Sequence, residues 1–403
     1  MRRLMVMGVA FILLSACSTK MSPDAGIAEY DSITAKAIPE GVIPEPNLAT
    51  LQHYFREQLT GRLWLDSIES QPAANPAWIS SDTKRNEFLS NELATSGLIS
   101  YLFYDDGELI YDELSGTDRL GRYVNDSSHL KSNSIAKSWT SYLLAHAICN
   151  GTIESIDTRI DDWPLIEGTL YQNQRLVDLL NMRAGDQFVV TERDGMLETG
   201  RWISTASLYW LAERELADTE PAKRKYNYNQ IPPTIVLNYL IYKTGYEPEK
   251  LLNEAFMEGA GTAREVSFEV QRDVPLERGS AIPVGWATRY DYMRFAIAML
   301  DDWKNNTCVG KYLKEVHDNG TRIRGFYPTD FRLAMATRYG GFFFTHLKGM
   351  RDRKVLYMDG YGGQALMIDF DNSRIVSVNA AHDNYNWDEL VYQAIKHGDI
   401  QRE

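Results

Sequence analysis

The sequence is poor in the residues that usually hold metal ions. It contains three cysteines and seven histidines among 403 residues. No histidine stands at metal-ligand spacing from another histidine or from a cysteine. We therefore expect no metal ion, and nothing in the sequence indicates another cofactor.

The sequence also has fewer positively charged residues than negatively charged ones. The chain has 42 lysines and arginines against 55 aspartates and glutamates, which gives a formal net charge of −13 and a pI near 5.1. Nucleic acids and anionic membrane surfaces attract proteins with basic surfaces, so we expect neither as the main partner. The hydrophobic content of 44% is ordinary for a globular protein, and the length suggests two lobes or domains.

The first residues have the features of a bacterial export signal. Two arginines precede an apolar run from Leu4 to Leu14, which is too short to span a bilayer comfortably. The run ends in Leu-Ser-Ala-Cys, which resembles a lipobox, so we expect residues 1–16 to be removed and Cys17 to carry a lipid. Because Ser18 follows the cysteine, we expect an anchor in the outer membrane, facing the periplasm of the cell envelope. The alternative is a conventional signal peptide with an incidental cysteine.

The two other cysteines, Cys149 and Cys308, would then lie in an oxidising compartment. They can form a disulfide bond or remain as two buried free thiols. Sequence spacing does not establish proximity, so both alternatives stay open.

Strand signals lie towards both ends of the chain, after residues 17–47, which we interpret as a tether. Residues 97–115 are typical of a hairpin around an Asp-Asp-Gly turn. From 331 onwards there are four short β-type runs and a helix-like segment, whereas the middle of the chain is mainly helical in pattern. The sequence therefore predicts an α/β protein with one sheet built from both termini. The expected division is 48–140 together with 331–403 as the sheet domain and 141–330 as a mainly helical domain.

A serine three residues before a lysine suggests a nucleophile with its base. A serine hydroxyl is a poor nucleophile until a base takes its proton, and residues three apart on a helix share a face. The lysine must be neutral to act as that base, which requires burial or a nearby cation. The pattern occurs at three places in the chain: Ser81 with Lys84, Ser128 with Lys131, and Ser134 with Lys137.

Only Ser134 opens an almost entirely apolar helix, "SIAKSWTSYLLAHAIC" (134–149). We therefore expect Lys137 to be the one lysine of the three that is forced out of water. The alternative is an ordinary helix in which Ser134 caps the N-terminus and Lys137 stays on the surface.

Several strings, taken in order, resemble the serine β-lactamase and penicillin-binding-protein superfamily. After the helix at Ser134 come "RLVDLLNMRAG", "KYNYNQ" (225–230), "PVGWATRYDYMRFAIAML" (283–300) and "DGYGGQALMIDF" (359–370). The likeness is to the class C branch, which includes esterases and 6-aminohexanoate-oligomer hydrolases, and it covers roughly 97–398. It implies an antiparallel sheet from both chain termini, flanked by helices, with an inserted mainly helical lobe. It also implies an acyl-enzyme in which Ser134 is the nucleophile and Lys137 the base.

The second catalytic element of this branch is a tyrosine. The family places it about seventeen residues before the glycine that ends the next helix, here Gly245, and this spacing selects Tyr228 rather than Tyr226. The resemblance implies that Tyr228 shares protons with Lys137 and later protonates the leaving group. Gln230 stands where the family has another residue that contacts the substrate amide.

The third element is a Lys/His-Thr/Ser-Gly strand. The literal Lys243-Thr244-Gly245 ends a predicted helix, so we interpret it as a helix terminus. The position that matches the family is Met358-Asp359-Gly360, where Gly360 allows close backbone approach. The resemblance implies that the backbone N–H of Tyr361 and that of Ser134 form an oxyanion hole, with Gly362 in the adjoining turn.

Asp359 stands where the family has a residue that helps to bind a substrate carboxylate, which Asp359 would repel. The sequence therefore favours a serine hydrolase for a small uncharged or cationic ester, amide or peptide-like substrate. One alternative is a β-lactamase or D-alanyl-D-alanine carboxypeptidase. Another is a cell-envelope binding module that retains the fold without catalysis. The natural substrate and the oligomeric state do not follow from the sequence.

Overall fold

A computed structural model describes residue 45 and residues 50–51, 65–190, 207–323 and 331–401. The predicted signal peptide and Cys17 lie outside the described residues, as does the predicted tether apart from Glu45. Among the helices that are described, none is both long and apolar enough to cross a bilayer.

The described strands form two sheets. In chain order the strands are β1 (Leu65–Glu69), β2 (Ser80–Ser81), β3 (Leu98–Asp105), β4 (Glu108–Leu114), β5 (Leu130–Lys131), β6 (Ser267–Gln271), β7 (Ala281–Ala287), β8 (Thr321–Arg322), β9 (Ala336–Gly340), β10 (Phe343–Leu347), β11 (Val355–Gly360), β12 (Gln364–Asp369) and β13 (Arg374–Ala380). The larger sheet has nine strands in the order β2-β4-β3-β13-β12-β11-β10-β9-β8, and the smaller has four in the order β1-β6-β7-β5.

The larger sheet joins the two ends of the chain. The N-terminal and C-terminal strands meet where β3 pairs with β13, in antiparallel register with Leu102 opposite Ser377. The hairpin of β3 and β4 turns at Asp106 and Gly107, whose φ angles of 42° and 108° suit the Asp-Gly turn that was predicted. The predicted fold class, an α/β protein whose antiparallel sheet draws strands from both termini, is confirmed.

Helices pack around these sheets. They are α1 (Glu87–Thr95), α2 (Ile135–Cys149), α3 (Leu176–Leu180), α4 (Leu208–Arg214), α5 (Ile231–Lys243), α6 (Glu249–Leu252), α7 (Arg289–Asn305), α8 (Cys308–Asp318), α9 (Phe331–Ala334) and α10 (Ala394–His397), with π-helical segments at Asn253–Gly259 and Asp388–Gln393. Helix α2 is central, because it contacts both sheets as well as α5 and α8.

The apolar character of α2 explains its central position. Nearly every side chain of α2 is buried. Trp139, which is 1% exposed, lies at the middle of an aromatic cluster in the core. Its neighbours are Phe256, Phe268, Tyr292 and Phe295. This packing fixes the helix that begins beside Ser134.

The smaller sheet was not predicted. Strands β6 and β7 lie in the part of the sequence that is mainly helical in pattern, and their partners β1 and β5 come from the N-terminal part. Strand β7 contains Pro283 and Gly285, both of which weaken a strand signal, and β5 is only two residues long. The pairing therefore depends on tertiary contacts that no local pattern reveals. The division into two domains stays a prediction.

Cys149 and Cys308 form a disulfide bond, with their Cα atoms 5.7 Å apart. The alternative of two free thiols is wrong. The bond joins the last residue of α2 to the first residue of α8, so it anchors the C-terminal end of the central helix.

Candidate active site

Ser134 immediately precedes α2, and Lys137 reaches back to it from the first turn. The Lys137 Nζ atom lies 2.8 Å from Ser134 Oγ. The Ser134 hydroxyl caps no backbone N–H group of the described helix, and the Lys137 side chain is 1% exposed. The alternative of a capping serine and a surface lysine is therefore wrong.

Burial controls the protonation of Lys137. Removal from water lowers the pKa of Lys137 from 10.5 to about 7, and the negative charge of Asp359 opposes this shift. Near neutral pH a substantial fraction of Lys137 is therefore the free amine. A free amine 2.8 Å from a hydroxyl can accept its proton.

The other two Ser-x-x-Lys pairs are different. Lys84 is half exposed and forms an ion pair with Asp399 at 3.0 Å. Lys131 is only 2% exposed, so the expectation that Lys137 alone would be forced out of water is wrong. The reason is the smaller sheet, in which Lys131 on β5 lies 3.1 Å from the Glu269 carboxylate of β6. Lys131 therefore pairs with a carboxylate, whereas Lys137 lies beside a hydroxyl.

Tyr228 completes the group around Ser134. Its hydroxyl forms a hydrogen bond with Ser134, and its ring centroid lies 5.0 Å from Lys137 Nζ. Burial raises the pKa of Tyr228 above its usual 10, the bond to Ser134 opposes that shift and the Asp359 charge adds to it. Tyr228 is therefore a neutral phenol at neutral pH. Tyr226 instead packs against Tyr339, with ring centroids 5.4 Å apart.

The loop that carries Tyr228 is held by Asp186, which the sequence analysis missed. The fully buried Asp186 carboxylate accepts hydrogen bonds from Asn227 at 2.8 Å, Asn229 at 3.0 Å and the Tyr171 hydroxyl at 2.7 Å. Two of these donors flank Tyr228 in the chain. The local signal was the acidic residue directly after "NMRAG", in a string that is otherwise typical of a helix end.

The end of β11 lies against the segment before Ser134. A Cβ atom on Gly360 would stand 2.6 Å from the Ser132 carbonyl oxygen, so only glycine permits this approach. Asn133, with a φ of 46°, donates its side-chain N–H to the Tyr361 carbonyl oxygen at 2.7 Å. The two segments that would supply the oxyanion hole are thus joined directly. Asn133 was missed, although asparagine is a residue type that tolerates this backbone conformation.

Asp359 faces the same group. Its charge acts on both Lys137 and Tyr228, and its Oδ1 atom accepts a hydrogen bond from the Tyr357 hydroxyl at 2.5 Å. Arg332, also missed from the sequence, lies with Nη1 4.0 Å from Asp359 Oδ1. The site therefore combines a lysine whose pKa is lowered to about 7 with a fixed carboxylate.

The sequence also singled out Gln230, Gly362 and the Lys243-Thr244-Gly245 string. Gln230 precedes α5 and is the second residue after Tyr228. Gly362 lies in the turn between β11 and β12 with a φ of 78°. Lys243 ends α5 and forms an ion pair with Asp162 at 2.9 Å, so the interpretation of Lys243-Thr244-Gly245 as a helix terminus is confirmed.

Comparison with known proteins bears on this arrangement. No family model and no curated protein matches the sequence. Among solved structures, a protein assigned as a 6-aminohexanoate-dimer hydrolase from Bacillus anthracis matches with a TM-score of 0.61 at 14% identity, over 90% of this chain and 96% of that one. The octameric penicillin-binding protein homologue from Pyrococcus abyssi matches with a TM-score of 0.55 at 14% identity, over 78% and 76% of the two chains. A family VIII carboxylesterase matches with a TM-score of 0.54 at 15% identity, over 77% and 94%.

The chain has the β-lactamase fold. The resemblance that was drawn from the ordered motifs is confirmed at the level of structure. At such low identity the β-lactamase fold does not determine the reaction, because the same fold hosts different chemistries. The reaction has to be derived from the side chains around Ser134.

Proposed function

We propose that the protein is a serine hydrolase that cleaves an ester or amide through an acyl-enzyme. The observation that carries this proposal is the buried Lys137, with Nζ 2.8 Å from Ser134 Oγ and a pKa lowered to about 7. A lysine in that state is matched to proton transfer near neutral pH.

The side chains suggest the following sequence of steps. Ser134 Oγ attacks the substrate carbonyl carbon while its proton moves to the Lys137 amine, and the backbone N–H groups of Ser134 and Tyr361 stabilise the oxyanion. The bond to the leaving group then breaks, and that group takes a proton from Lys137 by way of the Tyr228 hydroxyl, which bonds to Ser134. Water finally attacks the acyl carbon and releases the acid, and the proton it loses restores the Ser134 hydroxyl.

The substrate class is inferred from the site and from the matched structures. One of those proteins is described as a 6-aminohexanoate-dimer hydrolase and another as a carboxylesterase. We propose a small ester, amide or peptide-like substrate. The alternative of a β-lactamase or D-alanyl-D-alanine carboxypeptidase is disfavoured, because the Asp359 charge beside Lys137 would repel a substrate carboxylate. Prompt acylation of Ser134 by a fluorescent penicillin would restore that alternative.

A fluorophosphonate probe tests the proposal. The wild-type protein should be labelled at Ser134, as shown by intact-protein and peptide mass spectrometry, and the Ser134→Ala variant should not. Ser81→Ala is the matched control, since it removes the serine of another Ser-x-x-Lys pair and should be labelled like the wild type. Equal labelling of wild type and Ser134→Ala would refute the proposal. Absence of labelling, with no turnover of esters or amides, would favour a binding module.

We also propose that the protein is anchored by a lipid on Cys17 in the bacterial cell envelope. The lipobox-like string supports this, and so does the disulfide bond between Cys149 and Cys308, because such bonds are typical of oxidising compartments. Metabolic labelling with a fatty-acid analogue tests it. The wild type should incorporate the label and sediment with membranes, and Cys17→Ser should do neither. A labelled Cys17→Ser variant would contradict the anchor.

A further inference from the structure

A buried ion pair lies in the smaller sheet, shortly before Ser134 in the chain. The side chains of Lys131 on β5 and Glu269 on β6 are 2% and 7% exposed, and Lys131 Nζ lies 3.1 Å from Glu269 Oε1. The Trp286 indole on β7 donates to the same carboxylate oxygen at 3.1 Å, and its ring lies 5.6 Å from Lys131 Nζ. The proposed reaction uses neither member of this pair.

Stability alone does not account for an ion pair at this depth. Removing two charges from water costs about as much as their attraction returns, so a well-packed apolar pair of similar volume is often equally stable or more stable. Loss of a single partner is different, because it leaves the other charge buried and unpaired. A buried ion pair therefore favours one arrangement of two strands over every arrangement that separates its members.

Strand β5 has a register that its backbone contacts specify weakly. Its two residues pair with β7, and the Tyr292 hydroxyl donates to the Leu130 carbonyl oxygen at 3.0 Å. Backbone N–H and carbonyl groups repeat along a strand, so bonds to them can form in more than one register. A slip of one residue would instead turn the Lys131 side chain to the opposite face of the sheet, away from Glu269.

The register of β5 determines where Ser134 lies. Ser132, the residue after β5, donates its backbone N–H to the Gly285 carbonyl oxygen at 2.8 Å and accepts the Gly285 N–H on its Oγ atom at 2.9 Å. The Ser132 carbonyl oxygen lies against Gly360, which precedes the proposed oxyanion donor Tyr361. A shift of β5 would therefore displace the nucleophile relative to that donor.

We propose that Lys131 and Glu269 are positioning residues that fix the register of β5 and thereby hold Ser134 beside the N–H group of Tyr361. The expected effect on rate rests on the serine hydrolase function, whereas the effect on register does not. The lysine of one Ser-x-x-Lys string would thus act on the nucleophile of the next string, through the backbone that joins them.

Lys131→Met, Glu269→Leu and the double variant test the proposal. Each single substitution should lower the denaturation midpoint, because one charge stays buried without its partner. The double variant should regain the midpoint of the wild type, yet a neutral p-nitrophenyl ester should acylate it about a hundredfold more slowly, the size expected for a misplacement of about 1 Å. The apparent affinity for the ester should change little.

Lys84→Met is the matched control. Lys84 belongs to another Ser-x-x-Lys pair and lies 3.0 Å from the Asp399 carboxylate, but its side chain is half exposed. An exposed ion pair contributes little, so this variant should keep both the midpoint and the acylation rate of the wild type. A double variant no more stable than the single ones would show that stability itself needs the Lys131–Glu269 pair, and would overturn the proposal.

Amide hydrogen exchange separates the register from the hydrolase function. The N–H groups of Ser132 and Gly285 both bond across β5 and β7, so their exchange reports the register without a substrate. Both should exchange about tenfold faster in the double variant than in the wild type at equal global stability. Unchanged exchange, or acylation at the wild-type rate, overturns the proposal. Faster exchange in a protein whose wild type is never acylated supports the positioning of β5 and refutes only the hydrolysis.

Discussion

Acylation of Ser134 is expected to rise with pH through about 7 and to level off above it. Lys137 can accept the serine proton only as a free amine, and burial lowers the pKa of Lys137 to about 7. Below that pH the lysine is protonated and acylation slows tenfold for each unit of pH, as for any single essential base. Above it the lysine is neutral and acylation no longer changes with its titration.

The fraction of Lys137 present as the free amine follows from the size of its pKa shift. A lysine with the ordinary pKa of 10.5 would be a free amine in roughly one molecule in three thousand at pH 7. With a pKa of about 7, about half of the molecules carry the free amine. Burial of Lys137 therefore supplies roughly a thousandfold more of the active base at neutral pH.

The assay is the rate of Ser134 acylation by a neutral p-nitrophenyl ester, followed as a burst at constant ionic strength between about pH 5 and about pH 10. Asp359→Asn removes a charge that raises the pKa of Lys137, so the midpoint of the profile should move to lower pH. Asp352→Asn, which removes an exposed charge from the turn before β11, is the control and should leave the midpoint in place. A midpoint near 10 in the wild type, or an upward movement in Asp359→Asn, would refute the reasoning.

The structure leads to four further predictions. Lys137→Met should abolish acylation and stabilise the protein. Because the pKa of Lys137 is lower in the folded protein than in the unfolded chain, the gain in unfolding free energy should be greatest at and below about pH 7 and vanish towards pH 10. Denaturation curves of the variant and the wild type that coincide at pH 6 as well as at pH 10 would contradict this. Asp186→Asn should lower kcat more than it changes KM and should cost about 2 kcal/mol in unfolding free energy, because an amide cannot accept all three hydrogen bonds; an unaltered kcat would exclude a positioning role. Gly360→Ala should cost about 2 kcal/mol and reduce labelling by the fluorophosphonate, since its Cβ would lie 2.6 Å from a carbonyl oxygen. Replacement of Cys149 and Cys308 together by alanine should cost about 3 kcal/mol, to be measured against the oxidised wild type, and equal denaturation midpoints would show that the bond is dispensable.

Local patterns predicted six of the nine strands of the larger sheet and missed β2, β8 and β9. The β3–β4 hairpin has an Asp-Gly turn between two runs rich in β-branched and aromatic residues, and β11, β12 and β13 are short apolar runs. The smaller sheet could not be found in this way. Its strand β5 has only two residues, and its pairing with β7 joins parts of the chain that are remote in sequence. Residues of this kind become strands through tertiary pairing, which overrides weak local preference.

The residues of the candidate site also differ in whether a local pattern predicted them. Ser134 and Lys137 are neighbours on one helix, so their spacing predicted a contact that the structure contains. Asp186 and Arg332 act through contacts with segments far along the chain, which the strings around them do not reveal. The burial of Lys131 was likewise invisible, because it depends on Glu269 in a strand that was not predicted. Spacing reveals partners on one element, whereas partners on different elements require the fold.

The pairing of β3 with β13, the last strand, has a consequence for when the protein can fold. Tyr101 on β3 donates a hydrogen bond to the carbonyl oxygen of Leu390, which is 289 residues away, and Asn133 bonds to Tyr361 across 228 residues. A ribosome must therefore deliver nearly the whole polypeptide before Ser134 can meet the segment of Tyr361. Such long loops close slowly, so folding follows synthesis rather than accompanying it. A chain that stops before β11 would carry Ser134 and Lys137 and still lack a working site.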